Sequence, residues 1–557
     1  MAELRQGQGR SGSGLRLANG RVFTADRTAP WAESVAVADG LVVSCGTIEE
    51  VRQALPGAAE IDLEGRTLLP GLIDAHNHFI ATGESLASVD VRAPGVMTRS
   101  ALIDRLAKAA DRAGPDELVI ASGLDHAKYQ DGTPTRADLD GITTSQRLVV
   151  YHVSGHGALV NSAVLTAAGI DEFSADPPGG SFGRDASGRL NGFCFDAALQ
   201  AFLPVAVEIG DHGPNFHTAA PLADLVAAVE RAGKEFVKAG LTTVCDAQVT
   251  KRELEAYRAA ASEGRLLVRT ICMPLSHQLE EYGALGLAGH FGDSWLSIGP
   301  MKFYADGTLI GGTALFSEPY GRQGEFTGYM LRPVEEFRRD IVEAYRQGWR
   351  VGVHVQGDLA IGYVLDALED AQRAYPRLDP RPRLEHAGLP TRDHIDWMAK
   401  LGAITVNQPS YLFDSGDEFL ANLGERAHSL QPLRDELRAG VRVVISSDSD
   451  VASYNPLRTI AAAMTRRTMS GRAIGARHEL TLDEALFAHT IDAAYAVGME
   501  NEIGSLAAGK LADLVVTDGD LTGLSPEAIR DLGIWLTMID GTVVFASAGC
   551  PAAAVGA

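Results

Sequence analysis

The sequence predicts an α/β protein: a (β/α)8 TIM barrel, a composite β-sandwich built from both chain ends, and a large insertion after the first barrel strand. Three observations predict it. Short apolar runs alternate with helix-patterned segments through the second half of the chain. Hairpin texture with Asn-Gly and Asp-Gly steps appears at both ends. A long stretch of mixed signals separates the first apolar run from the regular alternation. The expected boundaries are 1–66 and 501–557 for the two parts of the sandwich, and 67–500 for the barrel with its insertion at 80–240.

Taken in order, LRLANGRVFT, ESVAVADG and LVVSCG read as short strands joined by tight turns. The far end, ADLVVTDGD and IWLTMIDGTVVFAS, has the same texture. Neither set has enough strands to bury a core alone, so one shared sandwich is expected. TLLPGLIDAHNH follows as a buried strand running into Asp74, His76 and His78. The insertion holds an amphipathic helix near 99–112, the apolar runs LVIASGLD and LVVYHVSGHG, a loop and hairpin at DPPGGSFGRDASGRLNG, and a helix at 222–239.

The alternation then begins. Its apolar runs are TTVCDA, LVRTICMP, SIGPMKFYADG, RVGVHVQGD, RLEHAG, AITVNQP and RVVISSDSD. Helical patterns fall at 252–263, 334–347, 360–373, 392–401 and 433–439. Near-continuous apolar strands between helices mean a parallel sheet covered on both faces. With the strand before His76 there are eight, enough to close a barrel.

Composition bounds the partners. The chain has 557 residues, 46% hydrophobic and 22% charged, with a net charge of −23. That balance disfavours nucleic acid and anionic membranes, which need a positive face. Five scattered cysteines without a Cys-x-x-Cys pair point to a reducing compartment. The N-terminus lacks a signal-peptide core, and no apolar run is long enough to span a bilayer. A cytoplasmic protein is expected, with a small-molecule substrate and a homodimer as the commonest assembly.

In a barrel, chemistry gathers where strands end. His76 and His78 end the first strand and, two apart, face one side. Lys302 lies on the fourth, His354 on the fifth, His386 ends the sixth, and Asp448 ends the eighth. Each has an ordinary explanation. His-x-His alone is commonly polar surface, and a lone His354 or His386 is commonly a core or helix-cap residue. Lys302 can snorkel, and Asp448 can cap a helix. Six metal-competent residues at one rim are harder to obtain by accident.

The pattern resembles the amidohydrolase superfamily, carried by PGLIDAHNH, GPMKFYADGTL, VHVQGDLAI, RLEHAG and SSDSD. TPTRADLD, SGHGALVNS, DPPGG and GSLAAGKLADLVV are similar to the amidohydrolase family 3 group, which includes N-substituted formamide deformylases. The resemblance implies a binuclear metal centre. His76 and His78 hold the more buried metal, a carboxylated Lys302 bridges the two, His354 and His386 hold the second, and Asp448 completes the first. Zinc suits the mixed N/O set, and manganese, iron or cobalt also fit. The implied reaction is hydrolysis of a C–N bond in a non-peptide amide (an N-substituted formamide, carbamate or aryl amide) by a metal-bridging hydroxide, with Asp448 as base and then acid. A mononuclear deaminase or isomerase, or an ester or carbamate hydrolase, is the alternative on the same barrel.

His156 is a candidate substrate ligand or a loop-packing residue, and Asp306 a substrate-binding or ligand-orienting acceptor or a turn cap. Specificity is expected from the insertion and from rim loops at 410–419 and 453–459, with Tyr411, Leu412 and Phe413 as an apolar wall. Gly312 stands where the family often carries an arginine, and Asp450 where a proline is common.

Overall fold

The computed structural model describes residues 14–114, 117–153, 155, 157–177, 180–203 and 205–551. These fall into two compact units, one drawn from 1–79, 233–249 and 257–557, the other from 80–232 and 250–256. Among the described residues no helix is long and apolar enough to cross a membrane.

The first unit is α/β. Strand β1 (Leu72–Asn77) pairs in parallel with β2 (Leu241–Val249), and β2 with β3 (Arg269–Pro274). A second parallel sheet runs in chain order through β4 (Met301–Tyr304), β5 (Val351–Val355), β6 (Arg383–His386), β7 (Ile404–Asn407) and β8 (Arg442–Ile445). Strands β1 to β7 are buried along their whole length, as strands covered on both faces must be. The fourth apolar run, expected as one strand, is divided. Leu296–Ile298 pairs with β3, whereas β4 pairs with β5. Pro300, between them, has no N–H to offer a ladder. The Gly299 N–H turns instead to the Cys272 carbonyl at 2.8 Å. A parallel bridge from Leu275 to Lys302 spans the gap.

Helices cover the outer faces. Val334–Gln347 buries Phe337, Ile341, Ala344 and Tyr345, a stripe of helical period, and ends at Gly348 with φ of 106°. Asp358–Ala374 and Arg392–Leu401 follow; Thr391 caps the latter by accepting the His394 N–H. Their apolar faces meet Phe303, Val351, Val353, Val355 and Leu384 in one core.

Helix Leu433–Ala439 carries an unusual passenger. Glu436 is fully buried and accepts from Thr405 Oγ1 at 2.7 Å and Asn407 Nδ2 at 3.3 Å. Burial nonetheless pushes its carboxyl up to about 7 from 4.5. A folded pKa above the unfolded one stabilises fully below the unfolded value, and that stabilisation is lost as pH rises through the folded value. Glu436→Gln is therefore expected to gain on the parent between about pH 5 and about pH 8, by up to about 3 kcal/mol. Unfolding midpoints of both proteins across that range check this; a difference that stays flat with pH contradicts it.

Both chain ends enter one six-stranded sheet. Thr67–Pro70 pairs in parallel with Arg21–Phe23 and antiparallel with Leu514–Thr517, which continues to Ile534–Ile539 and Thr542–Ala546. A four-stranded sheet of Leu15–Ala18, Ser34–Ala38, Leu41–Gly46 and Ala59–Asp62 shares its core, which includes Leu17, Val22, Val35, Leu68, Leu514 and Trp535. The Asp-Gly turns have positive φ at both positions, 52° and 80° at Asp39-Gly40 and 52° and 71° at Asp540-Gly541, the geometry that matches strand twist in a two-residue hairpin. Arg269 on β3 ties this sheet to the parallel one. It is wholly buried and forks onto Asp513 (Nε–Oδ2 2.7 Å, Nη2–Oδ1 3.0 Å). It also bonds Asp540 and the Ser294 carbonyl.

The second unit has a mixed sheet in the order Gly180–Arg184, Leu190–Asp196, Gly157–Val160, Leu148–His152, Val119–Leu124, Val89–Asp90. The expected hairpin is the antiparallel pair 180–184 and 190–196. Helix Arg99–Ala110, capped by Thr98, packs Leu102 and Leu106 into that unit's core with Leu148 and Val150.

Candidate metal centre

The end of β1 sets the geometry. Alternation puts Asp74 and His76 on one face, and His78 follows directly after the strand. Asp74 accepts the Ser447 N–H at 2.9 Å and the Ser447 Oγ–H at 2.5 Å, and Asp448 N–H donates to the His76 carbonyl at 2.9 Å. The chain after β8 is thus stitched to β1. Asp448 and His386 both sit in the left-handed region, with φ of 53° and 72°. Non-glycine residues held there cost on the order of 1–3 kcal/mol each and cluster at functional sites.

Five of the expected residues meet around Asp448. Its Oδ1 lies 3.3 Å from His76 Nε2 and 3.0 Å from His78 Nε2; its Oδ2 is 4.0 Å from His386 Nδ1. The His76 and His386 rings are 4.9 Å apart, and those of His354 and His386 4.6 Å. Lys302 is fully buried, its Nζ 4.6 Å from the Tyr304 ring, which in turn stacks on His354 at 4.9 Å. Among the described residues, ligand atoms of His76, His386 and Asp448 lie within 4.8 Å of one another.

The electrostatics favour a cation. Burial pushes His354 well below 6.5 and His386 down to about 3. Both imidazoles are neutral near pH 7 and have a lone pair to give. Asp448 is deeply buried, yet His76 and His78 hold its carboxyl well below the usual range. Burial lowers Lys302 to about 8, against the pull of Glu385 and Asp448. Its Nζ has no hydrogen-bond partner among the described residues. A buried ammonium without an acceptor is costly. Neutral imidazoles, an anionic carboxylate and an orphaned buried amine together fit a divalent metal with a modified lysine.

Other expectations fare differently. Asp306 spends both oxygens on backbone: Oδ1 accepts from Gln356 at 2.9 Å, and Oδ2 from Leu315 at 2.8 Å and Gly357 at 2.9 Å. It fastens the chain after β4 to the turn after β5. His156 lies outside the described residues. The segments read as rim loops are partly helical: Ser410–Asp414, Gly416–Leu423 and Pro456–Thr465. Tyr411 and Leu412 turn inward, but Phe413 lies beneath the Arg458 and Arg530 guanidiniums instead. Gly312 adopts φ of 70°, and a Cβ there would meet the Phe326 ring at 3.0 Å. An arginine at this position would therefore be strained by the backbone and crowded against the Phe326 ring.

Sequence reasoning also overlooked several neighbours. The Tyr411 hydroxyl donates to Asp448 Oδ2, and its ring stacks on His386 at 6.2 Å. Three of the imidazoles have a ring nitrogen held by a polar partner: Glu385 Oε2 lies 2.6 Å from His76 Nδ1, Gln408 Oε1 2.6 Å from His386 Nδ1, and the Gly307 carbonyl 3.1 Å from His354 Nε2. Arg383 and Glu385, two apart on β6, carried the one readable signal: strand alternation puts both on one face.

The amidohydrolase family profile matches residues 59–545. The sequence is 30% identical over 549 residues, covering 96% of this chain and 99% of the relative, to the N-substituted formamide deformylase of Arthrobacter pascens. The fold is similar to that of a metal-dependent hydrolase from Pyrococcus horikoshii OT3, with a TM-score of 0.74 at 24% identity over 92% of this chain and 99% of that one. A metal-dependent hydrolase from Pyrococcus furiosus gives 0.70 at 25% identity, over 90% and 98%.

Proposed function

The chain belongs to the amidohydrolase family of metal-dependent hydrolases, and on that footing we propose that it cleaves the C–N bond of a non-peptide amide: an N-substituted formamide, a carbamate or an aryl amide. In this reading His76, His78, His354, His386, Asp448 and a carboxylated Lys302 hold two divalent cations, zinc first. The observation that carries it is the buried Lys302 Nζ, without a hydrogen-bond partner among the described residues, beside neutral imidazoles and an ionised Asp448. A lysine lowered to about 8 keeps a neutral fraction able to take up carbon dioxide. The formamide class is supported by the Arthrobacter pascens relative.

A divalent cation bound there supplies Lewis acidity, polarising a carbonyl and lowering the pKa of water. The chain does the rest. Asp448 keeps Oδ1 toward His76 and His78 and turns Oδ2 to the Tyr411 hydroxyl. Oδ2 takes the proton released as water adds to the carbonyl carbon, then delivers it to the leaving nitrogen. Near-complete burial of Asp448, His386 and Lys302 excludes bulk water.

The same reading makes the two parallel sheets halves of one eight-stranded barrel. The Leu275–Lys302 bridge supports one seam, and the Asp448-to-His76 and Ser447-to-Asp74 bonds support the other. The terminal sheets with their common core form the composite sandwich. Five scattered cysteines without a Cys-x-x-Cys pair fit a cytoplasmic setting.

One observation favours a mononuclear deaminase or isomerase: the compact trio of His76, His386 and Asp448 could hold one cation without Lys302. Metal analysis of the purified protein, with a hydrolysis screen over amides, carbamates and esters, decides. Two equivalents of metal and turnover of an amide are expected, both lost in His76→Ala. One equivalent with an active Lys302→Ala selects the mononuclear reading, and a loaded protein that hydrolyses nothing overturns both.

A further inference from the structure

Three imidazoles at the centre are held from behind by different chemistry. His386 faces the neutral amide of Gln408, and His354 the Gly307 carbonyl. His76 Nδ1 meets a carboxylate, Glu385 Oε2, at 2.6 Å. An anionic acceptor receives the Nδ1–H hydrogen bond, leaves the Nε2 lone pair toward Asp448, and makes that nitrogen a stronger ligand than a neutral acceptor would.

Glu385 is itself held. Arg383 forks onto it (Nε–Oε1 2.7 Å, Nη2–Oε2 3.0 Å) and donates from Nη2 to the Ala75 carbonyl at 2.7 Å. Arg383 thus fixes the Glu385 carboxylate relative to the residue preceding His76. Both side chains are 0% exposed. The space is cut to them: a Cβ on Gly352 would lie 2.8 Å from Glu385 Oε1 and 2.3 Å from Met273 Cε. As packing, this pair is a poor choice, since apolar residues of like volume are often as stable or more so. As a holder of His76 it makes sense, because the guanidinium keeps the buried carboxylate ionised and fixes its direction.

We propose that Glu385, anchored by Arg383, is the positioning residue that fixes His76 as an Nε2 donor and makes the cation position at His76 the tighter of two. This rests on the binuclear reading above. The asymmetry predicts ordered loading, with one equivalent of metal captured well before the second.

The test is stepwise zinc affinity of the full-length metal-free protein, read by competition with a chromophoric chelator, with circular dichroism to monitor folding. Glu385→Gln is expected to weaken the tighter step about 10- to 100-fold and leave the weaker step in place. That substitution strands the buried Arg383, so Arg383→Met with Glu385→Gln provides a second variant without a lone charge; it should show the same selective loss, and decides alone if the single variant does not fold. Parent-like affinity in a folded variant overturns the proposal, as does an equal loss in both steps. His76→Ala separates the two levels: if it leaves zinc binding intact, the metal-centre reading itself fails.

Discussion

Asp448→Asn is expected to lower kcat by about 10²–10⁴-fold, the range for losing a positioned general acid–base group, while the fold survives. The argument is local. Asparagine keeps one oxygen to stand for Oδ1 beside His76 and His78. Its amide nitrogen then faces the Tyr411 hydroxyl, which can accept as readily as donate. Shape and hydrogen bonds are kept, but no atom remains that can take and return a proton. The left-handed backbone at 448, with φ of 53°, suits asparagine as well as aspartate. Steady-state kinetics on the best amide from the screen, beside a thermal melt, reads both halves. A variant retaining more than a tenth of the parent kcat would remove Asp448 from the proton path.

The largest stability effect is expected at Arg269→Ala. Breaking a buried ion pair from one side costs about 3–5 kcal/mol, because the partner charge is left in low dielectric. Here Asp513, 4% exposed, would lose both of its guanidinium bonds, and the Asp540 carboxylate would keep, among the described residues, only the Trp295 Nε1–H at 3.0 Å. The packing of the guanidinium 4.9 Å over the Trp295 ring goes too. Chemical denaturation should show a clear drop in midpoint. Arg269→Met with Asp513→Leu, which removes both charges, should recover much of it. An Arg269→Ala midpoint indistinguishable from the parent would mean that the strand and the terminal sheet are held by apolar contact alone.

The six ligand candidates were readable because each lies in or at the end of an apolar run, and parallel strands bring their C-terminal ends to one edge. Their supports were less so. Gln408 follows a strand like many glutamines, and only the fold shows that its amide faces His386, 22 residues back. Ser, Asp and Gly between 410 and 419 read as loop, yet Leu412, Phe419, Leu420 and Leu423 pack with Phe316 and Tyr320 from a distant segment. Tertiary burial overrode local propensity there. It also set the direction of Phe413: successive helical residues turn by roughly 100°, so neighbours of an inward Leu412 need not point inward. Pro300 was visible as a residue, but its effect on sheet pairing depends on where β3 and β5 lie.

The sheet that unites both chain ends has a consequence for biosynthesis. Thr67–Pro70 needs Leu514–Thr517 as its neighbour, and a ribosome must first make residues 71–513. At about 5–20 residues per second that interval lasts on the order of tens of seconds. Throughout it Leu68 and Leu69, both 0% exposed in the finished protein, have only one edge covered, which makes them a natural hold for chaperones. The strand bearing His76 continues directly from them, so it gains its final setting only as translation nears completion.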